Sequence, residues 1–198
     1  NLSPGDRVGA VATDAGQVLV YHNEQLVSTV DVTGWPYYAL GGYIGLAQSS
    51  GDRVDDFGGG TITPPTVDEF PQYAILDNFN RANGAIGSNW GGSAQYFAIQ
   101  NQALRMTAAQ GANAIFWNTL MEVNQEAYFT ITALDTDTNY VEILLKTQSL
   151  AGYQSGIMVV RYVPAEQVVY VRTYDATNGW VQRGVAQSVT FAVGDQFG

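Results

Sequence analysis

The feature that most constrains this chain is alternation. In Gln125-Glu126-Ala127-Tyr128-Phe129-Thr130-Ile131-Thr132-Ala133-Leu134, Tyr128, Thr130 and Thr132 fall on one side and Phe129, Ile131 and Ala133 on the other. A period of two belongs to a strand, not to a helix. Similar runs occupy residues 17–21, 25–31, 139–148, 155–162, 166–174 and 187–192, and they are rich in Tyr, Val, Thr and Ile, the residues that suit a pleated surface. No stretch sustains an apolar period of 3.6 residues. Turn signals separate the runs: Asn23-Glu24, Gln100-Asn101-Gln102 and Asn178-Gly179 each read as a hairpin tip. Many short strands at close spacing predict an all-β fold, an antiparallel β-sandwich.

Composition then limits what such a sandwich does. With 198 residues, 46% of them hydrophobic, the chain can bury one well-formed core. A formal net charge of −10 speaks against nucleic acid and anionic membrane surfaces, which both call for a basic footprint. No apolar run reaches membrane-spanning length, so no membrane insertion is expected. The acidity leaves calcium as a candidate partner. There is no cysteine, one histidine (His22) and one lysine (Lys146), which leaves little material for thiol, imidazole or amine chemistry.

The alternation breaks at residues 58–73, GGGTITPPTVDEFPQY, which read as a proline-containing extended linker. Three segments follow: 1–60, a linker at 61–76, and 77–198. The two ends of the chain repeat each other. Residues 2–9 are LSPGDRVG and residues 191–198 are FAVGDQFG, so Gly, Asp and Gly recur at one spacing. The chain begins at Asn1 without Met and stops at Gly198 inside a strand-like run, and both ends read as cut points.

The segment Asp77-Asn78-Phe79-Asn80-Arg81-Ala82-Asn83-Gly84, followed by Ile86-Gly87-Ser88-Asn89-Trp90, resembles the opening of laminin-G-like, concanavalin-A-like jelly-roll domains of secreted bacterial and phage proteins. Gly5-Asp6-Arg7-Val8-Gly9-Ala10, Gly34-Trp35 and Asp55-Asp56-Phe57-Gly58-Gly59 resemble the closing half. The halves stand in reversed order. The resemblance implies a jelly roll located outside the cell or at its surface, with residues 1–60 closing the domain that residues 77–198 open. The missing half comes either from the same chain, as in a circular permutant, or from the next subunit or repeat. The second arrangement makes a homopolymer, such as a filament, sheath or adhesin stalk, from copies of the chain. A carbohydrate-binding module of a larger secreted protein is the alternative.

Candidate chemical groups are few. Trp35, Tyr37 and Tyr38 form one aromatic cluster, and Tyr174 and Trp180 flank a hairpin; such rings stack on sugars, so these five are the candidate ligand contacts. Asp135 and Asp137, in the oxygen-rich Asp135-Thr136-Asp137-Thr138-Asn139, are the candidate metal ligands, with calcium as the ion. Asp52, Asp55 and Asp56 form a second acidic group. Glucanases on this fold place acids at alternate strand positions, and Glu122-Val123-Asn124-Gln125-Glu126 approaches that spacing. Its middle position is Asn, however, and Glu122 is expected to precede the strand. Gly58-Gly59-Gly60 lacks the Lys and helix of a phosphate loop. Lys146 is the one lysine that could form an isopeptide crosslink, with an Asn or Asp beside a buried acid, and Glu142 is expected on the same strand face. The chain is therefore expected to bind or build rather than to catalyse, with no cofactor beyond a possible calcium ion.

Overall fold

The computed structural model describes residues 2–3, 6–63, 70–108, 113–133, 140–151, 155–189, 192–193 and 196–197. In chain order the strands are β1 (Leu2–Ser3), β2 (Asp6–Ala12), β3 (Gln17–His22), β4 (Gln25–Asp31), β5 (Tyr43–Gln48), β6 (Arg53–Thr61), β7 (Ile75–Asp77), β8 (Gly84–Ala85), β9 (Trp90–Gly92), β10 (Phe97–Gln100), β11 (Ala103–Met106), β12 (Ala114–Trp117), β13 (Gln125–Ala133), β14 (Val141–Thr147), β15 (Ile157–Val163), β16 (Val168–Asp175), β17 (Gly179–Ser188), β18 (Ala192–Val193) and β19 (Gln196–Phe197). A 3-10 turn spans Ala94–Tyr96.

Two sheets pack face to face as a β-sandwich. One runs β4-β3-β2-β19-β13-β6-β11-β10-β8, with β7 on β6; the other runs β17-β16-β15-β14-β5-β12-β9. The core between them is apolar and closed: Val8, Ala10, Phe57, Phe129 and Ile131 from the first sheet meet Ile44, Leu46, Ile143, Leu145, Met158 and Val160 from the second. In β13, Ala127, Phe129 and Ile131 join this core and Tyr128 joins a cluster on the opposite face, as the sequence alternation predicts. Two hairpin tips hold paired residues in the left-handed region, Asn23 and Glu24 at φ 49° and 66° and Asn101 and Gln102 at 54° and 62°. That twist matches the strands that flank a two-residue turn.

The two outer segments interleave within the chain. β5 lies between β12 and β14, and β6 lies between β11 and β13. The structure redraws the linker. Gly58, Gly59 and Gly60 are the end of β6 rather than a spacer. They pair with Tyr128, Ala127 and Glu126, and a Cβ on Gly58 would sit 2.1 Å from Tyr128 Cζ. Glycine is what lets the tyrosine ring lie across its neighbouring strand. Ile62 and Phe70 are buried with Val11, Leu19, Tyr21 and Tyr128 on the outer face of the ten-stranded sheet. Phe70 stacks on Tyr21 with centroids 4.4 Å apart.

Candidate functional site

Three places on the sandwich gather chemistry. The first is the outer face of β15–β17. Cross-strand register aligns Ile157, Tyr174 and Trp180 in one row and Val159, Arg172 and Gln182 in the next. Glu142, Arg161 and Tyr170 follow. Their alternating neighbours Met158, Val160, Val169 and Val171 point into the core, so these rows face away from it. Trp180 is 39% exposed. Tyr174 meets it edge-on at 5.3 Å, and the Arg172 guanidinium lies 3.9 Å from its centroid. Glu142 is buried and paired with the Arg161 guanidinium, which also covers the Tyr140 ring at 3.9 Å. Burial pushes the Glu142 carboxyl up against the pull of Arg161.

This geometry sorts the aromatic candidates. Trp35 is a correction: it is fully buried, and its indole N–H donates to the Tyr174 carbonyl at 3.0 Å. The turn after β4 tucks the ring under the β16 end, so it has no face left for a ligand. Tyr37 packs edge-on against Trp35 at 5.3 Å, and Tyr37 and Tyr38 are half-buried against the core. Tyr174 and Trp180 remain on the surface beside Arg172. Sequence reading passed over Arg172 and Tyr170, although Tyr170, Arg172 and Tyr174 stand at alternate positions of one strand, the signal that places them on one face.

The second place joins the two sheets. Lys146 is at φ 49°, where the β14–β5 register shifts. The bulge re-aims the residue. Its Nζ donates to the carbonyls of Thr13, at 3.2 Å, and Tyr38, and its backbone N–H donates to Gln125 Oε1 at 2.8 Å. Lys146 therefore crosses toward the other sheet while Glu142 stays with Arg161, so the pair expected on one face is split. Burial lowers the Lys146 pKa to about 8, against the charge of Asp14.

The carboxylates serve the backbone. Glu126 accepts from the N–H groups of Gln72 and Tyr73, at 2.9 and 3.1 Å, and burial raises its pKa. It ties the segment after β6 to β13, whereas Glu122 is exposed and precedes the strand. Asp77 accepts two bonds from Arg81, at 2.6 and 3.1 Å, and one from the Trp90 indole at 2.9 Å. Burial works to raise Asp77, but these donors outweigh it and hold the carboxyl below its ordinary value. Asp55 moves the other way, to about 6, through burial first and then the charges of Asp56 and Asp77, which outweigh an opposing Asp56 N–H. A cleft of about 340 Å³ opens beside Asp56, Ile75, Leu76, Asp77 and Asn78. Asp52 is fully buried. Among the described residues no three His, Cys, Asp or Glu side chains stand together as a metal site. Asp135 and Asp137 lie outside the described residues. His22 is half-buried at the end of β3.

The third place is a fork in the ten-stranded sheet. β13 pairs with β2 from Gln125 opposite Ala12 to Thr130 opposite Arg7. β19 pairs with the same end of β13, Phe129 opposite Phe197 and Thr130 opposite Gln196. β19 also runs parallel to β2, and β18 parallel to β1. Both copies of the terminal repeat thus meet one stretch of β13. Arg7 and Gln196 share Thr130, and Val8 and Phe197 share Phe129, which is the correspondence the repeat gives.

No family model, curated protein or solved structure matches this chain. The fold and the three places define an all-β sandwich protein.

Proposed function

We propose that this chain is a structural repeat or subunit of an extracellular filament, sheath or adhesin, completed by complementary half-domains of a concanavalin-A-like jelly roll. The observation that carries this reading is the interleaving of the segments. Remove residues 1–61 and β13 loses both β2 and β6, while β12 and β14 lose the β5 they share. Open edges of that kind pair with whatever strand fits them. Donation of the same strands by a neighbouring copy satisfies the same ladders, and that is the assembly proposed. Light scattering during size exclusion, over rising protein concentration, tests it. Mass that grows with concentration supports assembly, and a monomer at every concentration refutes it.

A second reading, a carbohydrate-binding module, draws on Trp180. An exposed indole backed by Arg172 and flanked by Tyr174 offers an apolar ring face with polar neighbours, the combination that sugar stacking requires. Glycan-array binding that disappears in Trp180→Ala supports it, and a blank array with the intact chain sinks it.

A further inference from the structure

We infer that the fork on β13 is the junction between copies of this chain: the strand Gln196–Phe197 of one molecule docks on Phe129–Thr130 of another, in the register that Arg7 and Val8 hold in cis. This rests on the reading above that copies of the chain assemble, and it names a contact between them that leaves most of β2 in place in its own molecule. The fork has one place and two claimants. β2 has the longer hold, since its ladder on β13 runs on from Thr130 to Gln125 and its other edge is paired with β3, Val8 opposite His22 to Ala12 opposite Val18. β19 has two positions on β13 and two on β2. The surplus strand is therefore β19, whose ladders on β13 and β2 are two residues long each.

The acceptor is built for a strand of this sequence. Phe129 and Ile131 are fully buried in the core, and Tyr128 and Thr130 are buried on the opposite face. A strand that pairs here closes both faces at once. Because the two copies share a register on β13, one replaces the other without moving any side chain of β13 across the sheet; a slip of one residue would reverse every face. The Gln196–Phe197 strand of a second molecule meets the same backbone donors and acceptors. It displaces only the first residues of β2, while Ala10, Val11 and Ala12 keep their places opposite Ala127, Glu126 and Gln125.

The chain contains no cysteine, so engineered thiols report this contact without background. Directly opposed residues of antiparallel strands lie about 4.5–5.5 Å apart at Cα, inside the range a disulfide spans. A full-length Thr130→Cys chain is mixed with a full-length, mass-tagged Gln196→Cys chain under mild oxidation and run on a non-reducing gel. The expected result is a disulfide-linked heterodimer that neither chain forms alone. A Thr130→Cys/Gln196→Cys double variant that closes only on itself, with no heterodimer from the mixture, overturns the inference. If light scattering still shows assembly in that case, the half-domain reading stands and the junction lies elsewhere; if it shows a monomer, both fall. Phe197→Pro supplies a second arm. It removes a strand N–H without changing any residue of β2, whose ladders with β3 and with Gln125–Ala127 of β13 do not involve Phe197, so the far-UV spectrum should stay β-rich while the assembled fraction drops; an unchanged assembled fraction counts against the junction.

Discussion

The outer faces of the two sheets differ in who covers them. On the ten-stranded sheet, Val11, Leu19, Tyr21 and Tyr128 are roofed by the chain's own Ile62 and Phe70. The Tyr128 hydroxyl donates to the Tyr73 carbonyl at 2.8 Å, so the roof is also hydrogen-bonded in place. On the seven-stranded sheet the cover is uneven. Phe116, Leu144, Ile157 and Val159 are buried, with Tyr43 and Leu150 packed against them, but Arg172, Tyr174 and Trp180 are left at least partly open. β14 is buried along its whole length, whereas β16 alternates and β17 is largely exposed. Alternation decides which residues share a face. Whether that face meets water depends on a segment far away in sequence.

Four measurements sharpen or break this contrast. Phe70→Ala removes the ring stacked on Tyr21 and should cost about 3 kcal/mol or more in urea unfolding, since buried Phe→Ala changes cost about 3–5 kcal/mol. A loss near zero would mean the roof is dispensable. Gly58→Ala forces a methyl onto the Tyr128 ring, and overpacking of this kind costs about 1–3 kcal/mol. Its near-UV signal should change as the tyrosine is displaced.

The third measurement is a pH titration of stability. Lys146 has a folded pKa of about 8 against an ordinary 10.5. Between those values the unfolded chain binds more protons, so its contribution to stability rises as pH climbs from about 8 toward 10.5. Tyr128 opposes this above pH 10, because burial pushes its folded value to about 12. Lys146→Met should flatten the rise between pH 8 and 10. Asp55 acts in acid with the opposite slope. Its folded value of about 6 against 3.8 means that its contribution is fully present below about 3.8 and is lost as pH rises through 6. Asp55→Asn should remove that slope. The smallest effect is expected from Trp180→Ala, about 1 kcal/mol, because the indole is partly exposed and loses chiefly its ring and guanidinium contacts. A cost as large as that of Phe70→Ala would erase the distinction between the roofed and open faces.

Much of the fold was legible because strands announce themselves locally. The run from Gln125 gives β13 its two faces, and Asn23-Glu24 and Asn101-Gln102 give two hairpin tips. Three readings failed where packing across the molecule intervened. Gly58-Gly59-Gly60 looked like a spacer because nothing nearby in sequence shows that Tyr128 lies over it. Trp35 looked like a candidate ligand contact because its partner, the Tyr174 carbonyl, lies 139 residues away. Lys146 and Glu142 looked co-facial because a bulge is a property of the ladder, not of the strand.

The sequence by itself determined an all-β sandwich, its strand faces, and a terminal repeat linking residues 2–9 with 191–198. Those follow from a period of two and from turn residues, both local and steric in origin. Tertiary structure alone decided which strands interleave, which face is roofed and that both copies of the repeat meet β13 at Phe129 and Thr130. The reason is physical: strand pairing is made by backbone groups common to all residues, so a strand's neighbour is chosen by the packing of whole faces and not by any short stretch of sequence.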